Sequence, residues 1–154
     1  IMADHVLEFR VWLPRPREEI FPFFADPRNL KVLDPPWLRP ALLSSPPDPL
    51  EAGTVFDFRI RWLGIPLRWR VLIREYDPPY RFVDVQVRGP YARWEHRHLF
   101  RAEKGGTSVE DRITYRLPLG PLGRLLHTLW VRRQLATIFA HRRRRLEELF
   151  PGAR

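Results

Sequence analysis

The fold is decided by one stretch of sequence, residues 89–117: Gly89-Pro90-Tyr91-Ala92-Arg93-Trp94-Glu95-His96-Arg97-His98-Leu99-Phe100, a Lys104-Gly105-Gly106-Thr107 turn, and Val109-Glu110-Asp111-Arg112-Ile113-Thr114-Tyr115-Arg116-Leu117. Two runs that alternate with a period of two flank the glycine turn, a pattern typical of an antiparallel hairpin. One face of this hairpin carries aromatic, histidine and aspartate side chains, and the other carries mostly charge. We expect the first face to form the wall of a pocket.

Charge decides which face of the first strand is buried. The arginines and the glutamate at the odd positions of 93–101 cannot all be buried unpaired, because an uncompensated interior charge costs several kcal/mol. The even positions therefore face inward: Trp94, His96, His98 and Phe100.

The turn then restricts the pairing with the second strand. A short turn at 104–106 pairs positions whose numbers sum to 211 or 209, and either sum sets the inward residues against Val109, Asp111, Ile113, Tyr115 and Leu117. Asp111 is therefore predicted directly across from His98, or diagonal to it across from Phe100.

Composition limits the class of protein. With 154 residues, 44% of them hydrophobic, the chain is long enough for one domain, which we expect over residues 1–154. No apolar run approaches the ~18 residues of a membrane span. The absence of cysteine excludes disulfides, thiolate catalysis and cysteine-bound metal. Together with a start that lacks a secretory pattern, it favours a cytoplasmic protein.

The net charge of +9 raises the question of nucleic acid. Only two of the 27 basic residues are lysines, and the arginines alternate along predicted strands, as on a solvated sheet face. The run Arg142–Arg145 is interpreted as the solvated end of a helix. We expect no specific nucleic acid, and a basic module for nucleic acid or a membrane surface is the second alternative function.

The order of predicted elements is distinctive. A strand over 6–13 precedes two short helices at 16–24 and 27–33, a proline-rich segment with a brief strand near 41–44, and a meander of strands from residue 54. After Pro118 the spacing becomes helical over ~30 residues. The apolar stripe of this helix comprises Leu122, Leu125, Leu126, Leu129, Ala136, Phe139, Leu146, Leu149 and Phe150.

This order, with the segments Gly-Pro-Tyr-x-x-Trp-x-His-x-His-x-Phe, Gly-Gly-Thr, Asp-Arg-Ile-x-Tyr and Leu-Pro-Leu-Gly-Pro-Leu-Gly, resembles the SRPBCC superfamily of START-like, polyketide cyclase-like proteins. The resemblance covers about residues 6–150. It implies an α+β helix-grip fold, in which a curved antiparallel sheet of six to seven strands wraps around the C-terminal helix and two short helices follow the first strand. It also implies a cavity for a hydrophobic or amphipathic small molecule of lipid, polyketide or aromatic type, held as carrier or sensor.

Strand parity and the resemblance together give the residues expected to line this cavity. The strand at 81–88 could present either of two faces; the superfamily's Phe-x-Asp-x-Gln pattern matches Phe82, Asp84 and Gln86 and favours that face. The expected ligand-binding residues are Phe58, Ile60, Trp69, Val71, Phe82, Asp84, Gln86, Trp94, His96, His98, Phe100, Asp111, Ile113, Tyr115, Leu122, Leu126 and Leu129.

Three interpretations of the polar group stay open. His96, His98, Asp111 and Asp84 could satisfy one another and set strand register, could orient a ligand carbonyl or hydroxyl, or could perform acid–base catalysis with a histidine as base and an aspartate as its orienter. The last would make the protein a cofactor-free cyclase or dehydrase-type enzyme, the first alternative function. Two imidazoles and a carboxylate can also bind metal, but this spacing is weak evidence, and we predict no metal and no cofactor.

The segment Leu119-Gly120-Pro121-Leu122-Gly123 joins the last strand to the helix. It either stops one element and starts the next, or acts as a gate whose apolar residues, from Leu119 to Trp130, transiently contact a membrane or a protein. His5, His127 and His141 are expected to be surface or helix residues. The oligomeric state, monomer or homodimer, stays open.

Overall fold

The computed structural model describes residues 4–154, in which seven strands form one curved antiparallel sheet in the order β1-β7-β6-β5-β4-β3-β2. The strands are β1 (His5–Leu13), β2 (Ala41–Leu42), β3 (Val55–Trp62), β4 (Ile65–Asp77), β5 (Arg81–Arg88), β6 (Arg93–Glu103) and β7 (Gly106–Arg116). The first strand, β1, pairs with the last strand, β7, and forms one edge of the sheet, and β2 forms the other edge. The predicted helix-grip fold is confirmed.

Helical segments occupy the two expected places. After β1 come α1 (Arg17–Phe24), a 3₁₀ turn (Pro27–Asn29), α2 (Leu30–Leu33) and a second 3₁₀ turn (Pro36–Leu38). The C-terminal helix consists of α3 (Gly120–Leu126), a π-helical turn (His127–Val131) and α4 (Arg132–Leu149). Within residues 4–154, no helix combines the length and the apolar character required to cross a membrane.

The register of the central strands fixes the site. In the β6–β7 hairpin His98 pairs with Asp111 and Trp94 pairs with Tyr115. Paired residue numbers therefore sum to 209, which is one of the two registers predicted from the turn. Between β5 and β6, Phe82 pairs with His98 and Asp84 with His96. Three neighbouring strands therefore bring both histidines and both aspartates to one face of the sheet.

Two irregularities in the β4–β5 pairing, at 70/71 and 73/75, interrupt the middle of the sheet. Such bulges bend a strand and increase its twist. The helical segments fill part of the concave side: Phe21 of α1 packs on Phe82 and Phe100, and Phe139 of α4 stacks on Phe9 with ring centroids 4.3 Å apart. The remaining space on this side is a cavity.

The C-terminal helix turns a different face to the sheet from the one its leucines predict. Leu122, Leu125 and Leu129 are all more than half exposed, whereas Gly123 and His127 are buried. A Cβ on Gly123 would lie 2.0 Å from the Pro118 carbonyl oxygen, so α3 approaches the preceding chain where only glycine fits. The π-helical turn then shifts the helix faces relative to a regular α-helix, and α4 buries Leu135, Phe139 and Leu146.

Candidate functional site

A cavity of about 570 Å³ lies between the concave face of the sheet and the C-terminal helix. Its volume is within the range of small-molecule sites, ~300–1,000 Å³. The lining is mostly apolar. The sheet contributes Phe56, Phe58, Ile60, Trp69, Val71, Ile73, Phe82 and Trp94, and the C-terminal helix contributes Leu126, Trp130, Val131, Leu135, Ile138 and Phe139.

A hydrogen-bonded group of two imidazoles and two carboxylates forms one wall. His98 Nε2 lies 2.8 Å from Asp84 Oδ2, and its Nδ1 lies 3.2 Å from Asp111 Oδ1. His96 Nε2 lies 2.8 Å from the same Asp111 oxygen. The two imidazole rings stack with centroids 3.7 Å apart, and Phe82 stacks on the far side of His98 at 4.0 Å. Below, these four polar residues are called the imidazole–carboxylate cluster.

The environment drives the pKa values of the two histidines apart. Burial lowers the pKa of His96, and the neighbouring His98 lowers it further, against the hydrogen bond to Asp111. Burial also opposes the charge on His98, but hydrogen bonds to Asp111 and Asp84 outweigh it and raise the pKa of His98 above its usual value. Two imidazolium ions at this ring separation would repel each other, so one protonated ring, His98, is the stable arrangement.

The carboxylates stay ionised. Burial alone would raise the pKa values of Asp111 and Asp84, but hydrogen bonds from the histidines and their charge outweigh it and hold both pKa values below the usual range. With His98 protonated and His96 neutral, the cluster carries one net negative charge, and with both imidazoles neutral it carries two, so its net charge is negative in either state. A buried wall of this kind favours a ligand group that donates hydrogen bonds.

A second ionic contact reaches the cavity from the C-terminal helix. Arg142 Nη1 donates to Asp34 Oδ1 over 2.8 Å, and both residues line the cavity. Burial raises the pKa of Asp34, against the attraction of Arg142. The interpretation of Arg142–Arg145 as a solvated helix end is therefore wrong for half of the run: Arg145 donates to the Val32 carbonyl oxygen, and only Arg143 and Arg144 are exposed. The C-terminal helix passes the end of α2 at this point, and Arg142 and Asp34 are 108 positions apart in sequence.

A third polar contact joins Tyr115 to His127, a histidine that we expected to be a surface or helix residue. His127 is in the C-terminal helix, but it is buried there, with its Nε2 2.6 Å from the Tyr115 hydroxyl and its ring stacked on His5 at 3.5 Å. Burial raises the pKa of Tyr115 to about 12, so the phenol stays protonated and can donate to the imidazole. His127 turns inward because Gly123, one turn earlier, sets the buried face of α3.

Ten of the expected ligand-binding residues line the cavity: Phe58, Ile60, Trp69, Val71, Phe82, Asp84, Trp94, His96, His98 and Leu126. They come from β3, β4, β5, β6 and α3, so strand parity brought the correct faces together. Their role in binding stays a prediction.

Seven expected residues lie elsewhere. Gln86 bridges the turn before β6, donating from Nε2 to the Tyr91 carbonyl oxygen and accepting from the Tyr91 amide. Phe100 packs under α1, and Ile113 and Tyr115 are covered by the C-terminal helix. Asp111 lies behind the histidines that it orients. Leu122 and Leu129 point to solvent, since the helix presents Gly123 and His127 to the protein.

Part of the lining comes from the segment between β1 and β3, for which the sequence predicted no site residue. Leu30, Leu33, Leu38 and Leu50 contribute apolar surface there. Apolar residues next to prolines, such as Leu38 between Pro36 and Pro40 and Leu50 after Pro49, were the available signal, because irregular chain buries such residues only when it folds over a core.

Three atoms of the cluster are close enough to share a cation. One ligand atom each from Asp84, His96 and His98 lie within 4.8 Å of one another. Zinc prefers imidazole and carboxylate ligands of this kind. Both ring nitrogens of His98 already face carboxylates, however, so a cation would have to displace one of these contacts.

Comparison with solved structures identifies the architecture. TTHA0849 from Thermus thermophilus is 24% identical, with 95% of each chain covered and a TM-score of 0.67. This chain has the START-like fold predicted from its sequence. A START superfamily protein from Mycobacterium smegmatis (14% identity, 94% of this chain and 99% of that chain, TM-score 0.69) shares it. So does the Zhui aromatase/cyclase from Streptomyces sp. R1128 (12%, 97% and 98%, TM-score 0.67). No protein-family model and no curated protein matches the sequence.

Proposed function

We propose that the chain acts as one START-like domain that binds an amphipathic small molecule in the 570 Å³ cavity, as carrier or sensor. The observation that carries this proposal is a mostly apolar cavity whose few charged groups are the imidazole–carboxylate cluster and the Asp34–Arg142 pair. A small-molecule site typically combines an apolar lining with a few convergent polar groups that fix the ligand's orientation.

The imidazole–carboxylate cluster suggests the ligand's polar end. Its net negative charge and the cavity position of Asp84 and His96 favour a donor such as a hydroxyl or an amine. The ligand's apolar body would then lie against the aromatic side chains of β3 and β4. The cytoplasmic location expected from the cysteine-free composition stays a prediction.

Binding is tested with the neutral fluorescent probe N-phenyl-1-naphthylamine and a variant that fills the cavity. Ile60→Trp places an indole in the cavity, and Val87→Trp, on a side chain that is 53% exposed and outside the lining, is the matched control. We expect wild type and Val87→Trp to bind one probe per chain and Ile60→Trp to bind at least tenfold more weakly. Equal affinity for all three proteins would refute cavity binding. Native mass spectrometry of the purified wild type then identifies any copurified ligand.

A second candidate function is cofactor-free acid–base catalysis of the cyclase or dehydrase type. It is favoured by a neutral imidazole, His96, that lines the cavity while its Nε2 is held by Asp111. An imidazole whose orientation is held by a carboxylate is an arrangement that can serve as a general base. His96→Ala and His98→Ala should abolish turnover of a copurified ligand but retain the probe; unchanged turnover would remove both residues from the reaction.

A further inference from the structure

The mouth of the cavity is surrounded by exposed apolar side chains. On α3, the residue before it and the π-helical turn, six large apolar side chains are 38–65% exposed: Leu119, Leu122, Leu125, Leu126, Leu129 and Trp130. Three of them, Leu119, Leu126 and Trp130, also line the cavity. Side chains that face both the cavity and solvent mark its opening.

The β3–β4 hairpin extends this surface. Trp62 also lines the cavity, and its ring lies 4.9 Å from that of Trp130, so the hairpin tip with Leu63 and Ile65 adjoins the helix. These two tip residues are 65% and 56% exposed. The mouth patch, defined as these two and the six helical residues, holds eight of the fifteen large apolar side chains that are exposed among residues 4–154. Isolated exposed leucines are ordinary, but a contiguous patch marks an interaction surface.

The two segments that carry the mouth patch contain charge of one sign. Residues 58–67 contain Arg59 and Arg61, residues 117–141 contain Arg124, Arg132 and Arg133, and neither segment contains an acidic residue. On the outer face of the sheet, by contrast, arginines pair with acids, as in the Arg101–Glu110 contact at 3.3 Å. Apolar side chains flanked by uncompensated arginines complement the anionic headgroups and acyl chains of a lipid surface.

We propose that the mouth patch docks the protein on an anionic lipid bilayer, and, resting on the proposed ligand binding, that the ligand is exchanged through the docked mouth. Docked in this way, the opening faces the acyl region, and an apolar ligand enters the cavity without crossing water. A second copy of the chain is a poorer occupant, because two mouths would bring like charges together. The arginines also lack the acidic neighbours with which they alternate elsewhere in the sequence.

Flotation with phosphatidylglycerol-containing vesicles, and with pure phosphatidylcholine vesicles, tests the docking. The apolar variant is Leu122→Gln/Leu125→Gln/Leu129→Gln; these side chains are exposed and do not line the cavity, and glutamine keeps the helix propensity of leucine. The control is Val6→Thr/Val55→Thr/Val87→Thr, three side chains that are 46–53% exposed. We expect the leucine variant to bind anionic vesicles about a hundredfold more weakly, and the valine variant to bind like wild type.

A second variant pair isolates the charge. Arg124→Gln/Arg132→Gln/Arg133→Gln removes three charges beside the mouth. The control variant, Arg81→Gln/Arg101→Gln/Arg112→Gln, removes three exposed charges that form ion pairs on the sheet. Both variants carry the same net charge. Only the first should lose affinity, by about a hundredfold at low salt, and added salt should weaken wild-type binding.

The outcomes separate docking from ligand binding. Wild type that stays with the buffer fraction, that floats equally with both vesicle types, or whose flotation falls equally in variant and control would overturn the docking proposal. Loss of self-association in the leucine variant, without any flotation of wild type, would assign the patch to a second copy instead. Probe affinity in vesicle-free buffer reports on the cavity alone. We expect this affinity to be unchanged in the leucine variant. If wild type binds no probe, ligand binding is refuted, and the flotation result is judged separately.

Discussion

Replacing Asp111 by asparagine should destabilise the fold in a pH-dependent way, because this carboxylate faces both histidines of the cluster. Its Oδ1 lies 2.8 Å from His96 Nε2 and 3.2 Å from His98 Nδ1. The change removes one charge-assisted hydrogen bond, ~1.5–3 kcal/mol, and leaves the protonated His98 with Asp84 alone. Breaking a buried pair costs ~3–5 kcal/mol when a partner is deleted. Because asparagine can still accept one hydrogen bond, we expect a loss of about 3 kcal/mol at pH 7.

The pH dependence has a definite sign. The folded-state pKa of Asp111 lies below its usual value. Its stabilising contribution is therefore complete above the unfolded-state pKa of about 3.9 and is lost as the pH falls toward the folded-state value. The difference between wild type and Asp111→Asn should thus shrink below about pH 4. The raised pKa of His98 acts at the other end: its contribution is complete below about pH 6.5 and is lost as the pH rises through the folded-state pKa.

Urea unfolding of both proteins from pH 3 to 8 is the assay. In a separate thermal unfolding experiment at neutral pH, the variant's melting temperature should be roughly 6–12 °C lower for a chain of this size. The control is Glu110→Gln on the opposite face of the same strand, where the carboxylate forms a partly exposed ion pair with Arg101 and should contribute only ~0–1 kcal/mol. The electrostatic role of Asp111 would be refuted if its replacement lowered the free energy of unfolding no more than the control does. It would also be refuted if that loss were constant from pH 7 to pH 3.

Two further substitutions test contacts of the C-terminal helix. Tyr115→Phe should lower the free energy of unfolding by ~1–3 kcal/mol, measured in urea, because His127 Nε2 is left without its 2.6 Å partner in a buried site; a change near zero would show that the hydroxyl contributes nothing. Gly123→Ala should cost ~1–3 kcal/mol, since the new methyl would meet the Pro118 carbonyl oxygen at 2.0 Å and force the helix away. It should also alter probe affinity, because both residues line the cavity; wild-type stability and affinity would contradict this close approach.

The β6–β7 hairpin was predictable because its determinants are local. Charges at alternate positions leave one allowed face, and the short turn limits the pairing to two registers that share the same inward residues; the structure has the one with Lys104-Gly105 as the turn. The result is the observed pairing of His98 with Asp111. Local alternation also places the residues of β3 and β4 that line the cavity, whereas the inward face of β5 was chosen by the resemblance at Phe82, Asp84 and Gln86.

The helical side of the site could not be predicted in the same way. A uniform 3.6-residue period directs Leu122 and Leu129 into the cavity, but the glycine approach at Gly123 and the π-helical turn give the helix a different buried face. The contacts of a helix with the rest of the chain decide which of its faces is buried. Hydrophobicity alone is a poor guide to this face when an exposed patch also contains leucines. The Asp34–Arg142 contact joins residues 108 positions apart and has no local signature.

The opposite characters of the two ends of the cavity imply one orientation for an amphipathic ligand. The mouth is apolar and flanked by arginines, whereas the charged groups of the lining include Asp84, His96 and the Asp34–Arg142 pair, and Arg142 lies about three turns beyond Trp130 on the C-terminal helix. A ligand that entered with its apolar end first would desolvate this charged wall without replacing its hydrogen bonds with water, at a cost of ~1–3 kcal/mol for each group left unpaired. A ligand that enters with its polar end first gives the cluster a donor and leaves its apolar end toward the mouth. The same orientation keeps the apolar end next to a bilayer at the mouth patch, so the proposed binding mode agrees with the geometry of the proposed docking surface.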